Sequence, residues 1–212
     1  MRLLGWLGGK DVRQRSGTLP IEMPRLVLDR AGAEAASLDA LRRGDFVQAS
    51  VIVVSVEAAS NRPRGLNVTW DDIEADRLAE GVAEIFSVVP GIFAGMHEAA
   101  LSALRLAAGM QCLWGDSRSC RWLPNGLETG IPLGAEPAAR MLMFCAQHKI
   151  KLRQWISSDV VKRVEICDAG EDSCVECHKL HQRRYRFGAL PELPNPRCTH
   201  PMGCRCVYLP IT

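Results

Sequence analysis

The sequence predicts an α+β protein: a mainly helical body followed by a small, loop-rich C-terminal module. Three observations carry that division. Apolar residues recur at helical spacing from Leu78 to Val89 and again from Phe93 to Leu104, the 3.6-residue period of helices that bury one face. Six of the nine cysteines fall between Cys167 and Cys206, beside His178, His181 and His200, and none precedes Cys112. Pro191, Pro194, Pro196, Pro201 and Pro210 exclude long regular elements beyond Ala189, because proline lacks an N–H and fixes φ. The expected divisions are an N-terminal arm over 1–25, the helical body over 26–158 and the module over 159–212.

Each element has its own signal. Residues 1–25 mix Gly, Pro and charge without a period. Ala-rich residues 29–43, with Leu38 and Leu41, suit a helix that Gly44 ends. Residues 46–56 are apolar and β-branched; periodicity cannot choose between buried strand and buried helix, and composition favours strand. Residues 61–65 read as a loop. The clearest helix starts after Trp70, where Thr69 and Asp72 resemble a capping box and Asp71, Asp72 and Glu74 suit the positive end of the dipole. Pro90-Gly91 stops it, and a second helix over 92–108 ends before Gly109, so the two form a hairpin. Residues 110–135 are turn-rich. Pro137 suits the first position of a helix running to about Lys149, after which Ile150, Leu152, Val160, Val164 and Ile166 suggest short strands.

Bulk properties set outer bounds. Of 212 residues, 47% are hydrophobic and 24% charged, and the net charge of +2 gives no overall field toward nucleic acid or acidic lipid. The longest uncharged apolar runs, 46–56 and 85–96, fall short of the ~20 residues of a spanning helix. The apolar run before Lys10 is shorter than a secretory core of about 7–15 residues, so the expected setting is cytoplasmic and no membrane partner is expected. In a reducing compartment an odd number of cysteines argues against a disulfide framework.

The clustered cysteines therefore need another chemistry. Cys174-Val-Glu-Cys177 brings two thiolates toward one ion from a single turn; Cys198, His200, Cys204 and Cys206 offer more than the remaining two positions of a tetrahedral zinc site. Cys174, Cys177, Cys198 and Cys204 are the first assignment, with Cys206 or His200 as substitutes, and Gly203 allows a sharp turn beside Cys204. A metal would also staple a segment too poor in large apolar residues to form its own core. The module is thus expected to be zinc-stabilised. Free thiols, an iron–sulfur cluster, and c-type haem attachment through Cys174-x2-Cys177-His178 are the competing readings. Haem would leave Cys198, Cys204 and Cys206 unexplained.

In order, Ser173-Cys-Val-Glu-Cys177, Leu180, Tyr185, Leu190-Pro-Glu-Leu-Pro194, His200-Pro201, Cys204-Arg-Cys206 and the apolar ending Val207-Tyr-Leu-Pro-Ile211 resemble the cysteine-rich C-terminal segment of Mu-type phage head morphogenesis (minor capsid) proteins. The likeness covers roughly residues 166–211, under a quarter of the chain. It departs at His181-Gln-Arg-Arg184, where the family has a Gly-containing turn, at the extra Cys198, and in the spacing of His200-Pro201 to Cys204. The resemblance implies a role in protein assembly, phage-derived in origin.

Other chemistry is thinner. Between His178 and Cys206, Lys179, Arg183, Arg184, Arg186, Arg197 and Arg205, opposed only by Glu192 and interleaved with Tyr185 and Phe187, would suit nucleic acid. Solvated cations around an anionic thiolate site are the simpler account. His97-Glu98 lacks the second histidine of a zinc-protease helix, since Leu101 stands there. Cys145 and His148 lie one turn apart with no orienting acid, and Cys112 with Cys120 supply only two ligands. The sequence is accordingly read as a non-enzymatic, zinc-binding structural or interaction protein with a protein partner or self-assembly. Nucleic-acid binding through the basic rim is the leading alternative.

Overall fold

Asp29 caps the first helix: its side chain accepts from the Gly32 amide at 2.7 Å, satisfying one of the orphan donors of a helix start. In a computed structural model, which describes residues 29–60, 75–115 and 119–212, this helix, α1, spans Arg30–Arg42 and closes at Gly44 with φ +74°. The next residue, Asp45, caps a second helix by accepting from the Gln48 amide at 3.0 Å. That helix, α2, spans Phe46–Ser60 and replaces the strand expected over 46–56. Two facts explain the difference. The sheet lies at the far end of the chain, so a strand here would have no ladder to join. Ser50 and Ser55 return their hydroxyls to the carbonyls of Phe46 and Val51 at 2.9 and 2.7 Å, so both polar side chains are satisfied within the helix's own backbone.

Helix α3 spans Ala75–Ser87, with its buried stripe Ala79, Val82 and Ile85. The arm over 1–25, the loop over 61–65 and the expected start at Thr69–Asp72 lie outside the described residues. Pro90 does end the run, but residues 91–93 form only a 3-10 turn, and helix α4 begins later, spanning Glu98–Trp114. Gly109 lies inside α4 rather than past its end; Gly115, at φ 63°, is the left-handed cap. The reason is packing. A Cβ on Gly109 would sit 3.1 Å from Leu41 Cδ1 and 3.1 Å from Phe86 Cε2, so α1, α3 and α4 meet over a missing side chain. The residues around Ala33, Leu41, Val53, Val82, Met110 and Leu113 form one apolar cluster there.

The longest helix among the described residues, α5, spans Ala135–Ser158. Pro137 takes its third position, where the missing N–H belongs to the unpaired first turn. The short strands expected near Ile150 and Leu152 are helix instead. Cys145, His148, Leu152 and Trp155 continue the Met141–Leu142 stripe at intervals of three and four, a helical period that outlasts the local alternation. The sheet contains β1 (Arg163–Cys167), β2 (Arg183–Tyr185) and β3 (Val207–Ile211), antiparallel in the order β2-β1-β3. Pro210 is accommodated because β3 is an edge. A single-turn helix, α6, covers Val175–His178.

The inner sheet residues Val164, Ile166 and Tyr208 share one core with Ile85, Leu104, Met141 and Leu142, and with Cys177, Cys204 and Cys206. The cysteine-bearing segment is therefore laid directly on α5. His148 stands at that seam, 8% exposed, its ring 5.0 Å from Tyr208 in an edge arrangement. Burial holds its imidazole below the ordinary value near 6.5, against the opposing pull of the Cys204 sulfur; Lys151 pushes the same way as burial.

Two outcomes follow from this packing. Gly109→Val overfills the α1–α3–α4 junction and lowers stability by about 1–3 kcal/mol, read as a fall in the urea midpoint. A neutral buried His148 contributes stability that is complete above about pH 6.5. That stability is lost as pH falls through its lowered folded-state pKa, because the unfolded chain takes up the proton first. His148→Phe removes that part of the pH dependence of the unfolding midpoint.

Candidate metal centre

Three short pieces of backbone deliver the thiols. Cys174 is the residue before α6 and Cys177 its third residue; the amides of Cys177 and His178 bond the Cys174 carbonyl at 3.0 and 2.9 Å. Both sulfurs thus leave one helical turn on the same side. Cys198 closes a turn by donating its amide to the Asn195 carbonyl at 3.0 Å. Cys204 and Cys206 follow the turn closed by Gly203 N–H to the His200 carbonyl at 2.8 Å. Gly203 has φ +77°, and a Cβ there would lie 3.0 Å from Met141 Sδ, so both conformation and close approach to α5 demand glycine.

The sulfurs gather as two triads. Those of Cys174, Cys177 and Cys198 lie within 4.8 Å of one another, as do those of Cys177, Cys204 and Cys206. Cys177 belongs to both. The shortest separations are 3.8 Å for Cys174–Cys198 and 3.8 Å for Cys177–Cys204. The second triad is buried and the first is partly open. These cysteine clusters have the donor chemistry and spacing to hold a metal ion.

The surroundings divide the five thiols: Cys174 and Cys204 are held toward the thiolate, and Cys177, Cys198 and Cys206 toward the protonated thiol. Burial disfavours the charged form of Cys174, but the amides of Thr199 and Cys177 outweigh it and bring its pKa down to about 6. Burial pushes the Cys198 thiol up to about 11. Cys204 is held down because the Cys177 thiol donates to it, and amides of Asn195 and Cys206 add to that. Cys177 is held up for the same reason, since it keeps the shared proton. An incoming cation replaces these protons and releases them.

Of the residues expected to bind metal, His200 stands apart. Its Nδ1 accepts from the Met202 amide at 3.1 Å, and its Nε2 lies 3.3 Å from Asp172 Oδ1 and 3.2 Å from an Arg205 nitrogen. His178, the haem-ligand candidate, turns Nδ1 to Asp168 Oδ2 at 2.9 Å and stacks on His181 with centroids 5.8 Å apart. His181 Nδ1 sits 3.0 Å from the other oxygen of the same carboxylate, which is fully enclosed. Cys112 packs in the helical core, Cys145 is buried on α5, and Cys167 lies on β1. His97 precedes α4 with its ring over Gly130.

The basic rim carries its own counter-charges. Lys179 and Arg197 pair with Glu176, the latter at 3.7 Å; Arg184 pairs with Glu165 at 2.9 Å and Arg205 with Asp172 at 2.5 Å. Arg183 and Arg186 are exposed and make no ion pair among the described residues. The acids precede the cations in sequence, which is why a count begun at His178 missed them. Over 159–212 eight Lys and Arg face seven Asp and Glu.

Sequence reasoning also missed Asn195. Buried at 4% exposure, it accepts the Arg197 amide at 3.0 Å, donates to the Glu176 carbonyl at 3.1 Å and points the same amide nitrogen at Cys177 Sγ, 3.8 Å away. Asn195-Pro196 was the available signal, a dipeptide that initiates turns. No protein-family model, curated protein or solved structure matches this chain. Among the described residues no helix is long and apolar enough to cross a membrane.

Cys177→Ser, which removes the sulfur common to both triads, weakens metal binding by more than the roughly 10–100-fold typical of disturbing an outer-shell partner. Cys167→Ser leaves it unchanged. Competition titration against a chromophoric chelator reads both.

Proposed function

We propose that this chain is a non-enzymatic structural and interaction protein whose C-terminal module is held by zinc. The observation that carries the reading is the convergence of five thiols from three backbone pieces onto one core. Metal–thiolate bonds of about 2.3 Å place the corners of a tetrahedron about 3.8 Å apart, the separation of the two closest sulfur pairs. Cys174, Cys177 and Cys198 supply three corners, and a side-chain rotation of Cys204 or Cys206 supplies the fourth. Bound zinc adds no redox chemistry; it fixes the segment between α6 and β3 that has almost no regular structure of its own.

Several features support this over the alternatives. Haem attachment would take Cys174 and Cys177 away from their sulfur partners, and His178 is engaged with Asp168. The nucleophile–base pair available in sequence, Cys145 and His148, is buried, and burial pushes the Cys145 thiol up to about 11. The pairing of four rim cations with local acids weakens the nucleic-acid reading, leaving Arg183 and Arg186 as its basis. The resemblance to phage head morphogenesis segments favours protein assembly as the role, with a protein partner or further copies of the chain as the target. A cytoplasmic, reducing setting suits the thiols.

Elemental analysis of protein purified without added metal tests the reading, with about one zinc per chain expected. Stripping the metal with a chelator leaves the helical body folded and exposes residues 168–206 to limited proteolysis; re-addition of zinc restores protection. Equal cleavage with and without metal would remove the structural role.

A further inference from the structure

We propose that the five-thiol cluster is also a two-ion site for copper(I), with Cys177 as the thiolate shared between the ions. The proposal rests on the thiolate-centre reading above but asks for a different capacity. It starts from the shape of the cluster. Among the described residues the sulfurs form two sets of three joined at one vertex, and no set of four lies mutually within the same 4.8 Å limit. A tetrahedral ion therefore needs a side chain to move, whereas each triad already gathers the three donors of a trigonal ion.

The donor count agrees. Two three-coordinate ions that share one ligand need five donors, which is the number of thiols gathered here. Two tetrahedral ions sharing one ligand would need seven. No imidazole or carboxylate joins either triad among the described residues, and His200, the nearest candidate in sequence, has both ring nitrogens facing other groups. Thiolates bind copper(I) and zinc alike, but structural zinc takes four ligands, so three-coordinate thiolate sites suit the soft monovalent ion. Each ion that enters displaces thiol protons to solvent, and no electron is transferred.

Burial gives the two halves different roles. Cys177, Cys204 and Cys206 are 3%, 1% and 2% exposed, whereas Cys174 and Cys198 are partly open. The outer triad is the route by which an ion reaches the inner one, and Cys177 is the point of transfer. Cys198, the cysteine by which this chain departs from the segment it resembles, completes the outer triad.

The test uses the full chain, reduced and kept free of oxygen. Copper(I) is titrated against a chromophoric copper(I) chelator, and the loaded protein is measured by X-ray absorption. Two coppers per chain with a short copper–copper scattering path are expected. The double variant Cys204→Ser/Cys206→Ser, which keeps the outer triad, should bind half as much copper and lose that path. One copper in the native chain, or two without a copper–copper path, overturns the shared-thiolate site. If zinc still binds at one per chain in that case, the structural reading stands alone; if neither metal binds, both readings fail.

Discussion

The convergence of sulfur on the face of α5 is the constraint on which the C-terminal module depends. Between β1 and β3 the chain has one helical turn, a three-residue strand and a few tight turns, too little hydrogen-bonded structure to fix a path by itself. Its course is set by what it must deliver: Cys177, Cys204 and Cys206 to the same core that holds Met141, Leu142, Val164 and Tyr208. Buried sulfur serves that core as apolar volume and the cluster as donor at once. Gly203 and Asn195 then have a common explanation, since one lets the backbone press against Met141 and the other braces the turn carrying Cys198.

Around the sulfurs lies a second, polar layer. Asp168 holds two imidazoles, and Asp172 gathers Arg205 and His200. Hydrogen bonds from the Gly170 amide and His178 keep the Asp168 carboxylate below its ordinary range despite the opposing effect of its burial. Asp172 ties the start of the module, near β1, to its end, near β3, while Asp168 ties that start to the last residue of α6 and the turn after it. Their contribution is positional: each fixes a loop that carries a cysteine.

How much of this could be read from sequence varied with the physics involved. Local capping was readable: Asp29 and Gly44 bound the first helix as composition suggested. Asp45 was an equally good cap that would have tipped residues 46–56 to helix, had it been weighed against β-branched content. Gly109 misled because a glycine at a helix end and a glycine under a neighbouring helix look alike until Leu41 and Phe86 are placed in space. Ile150 and Leu152 misled because two residues can match either period, and only Trp155 completes the helical one. The cysteines declared themselves by density. The exclusion of His200 from both triads, and the pairing of Arg184 with Glu165 and Arg205 with Asp172, depend on three-dimensional neighbours that no spacing rule supplies.

Pro210 has a consequence for how such a chain can associate. Strand β3 lies at the sheet edge with Val207 and Leu209 exposed, the kind of rim on which polypeptides stack into fibrils. A proline there offers no N–H to an arriving strand, so growth by backbone pairing is interrupted at its first rungs. What this rim presents to a neighbour is therefore side chains, Val207 and Leu209 among them, rather than an unbroken row of backbone donors.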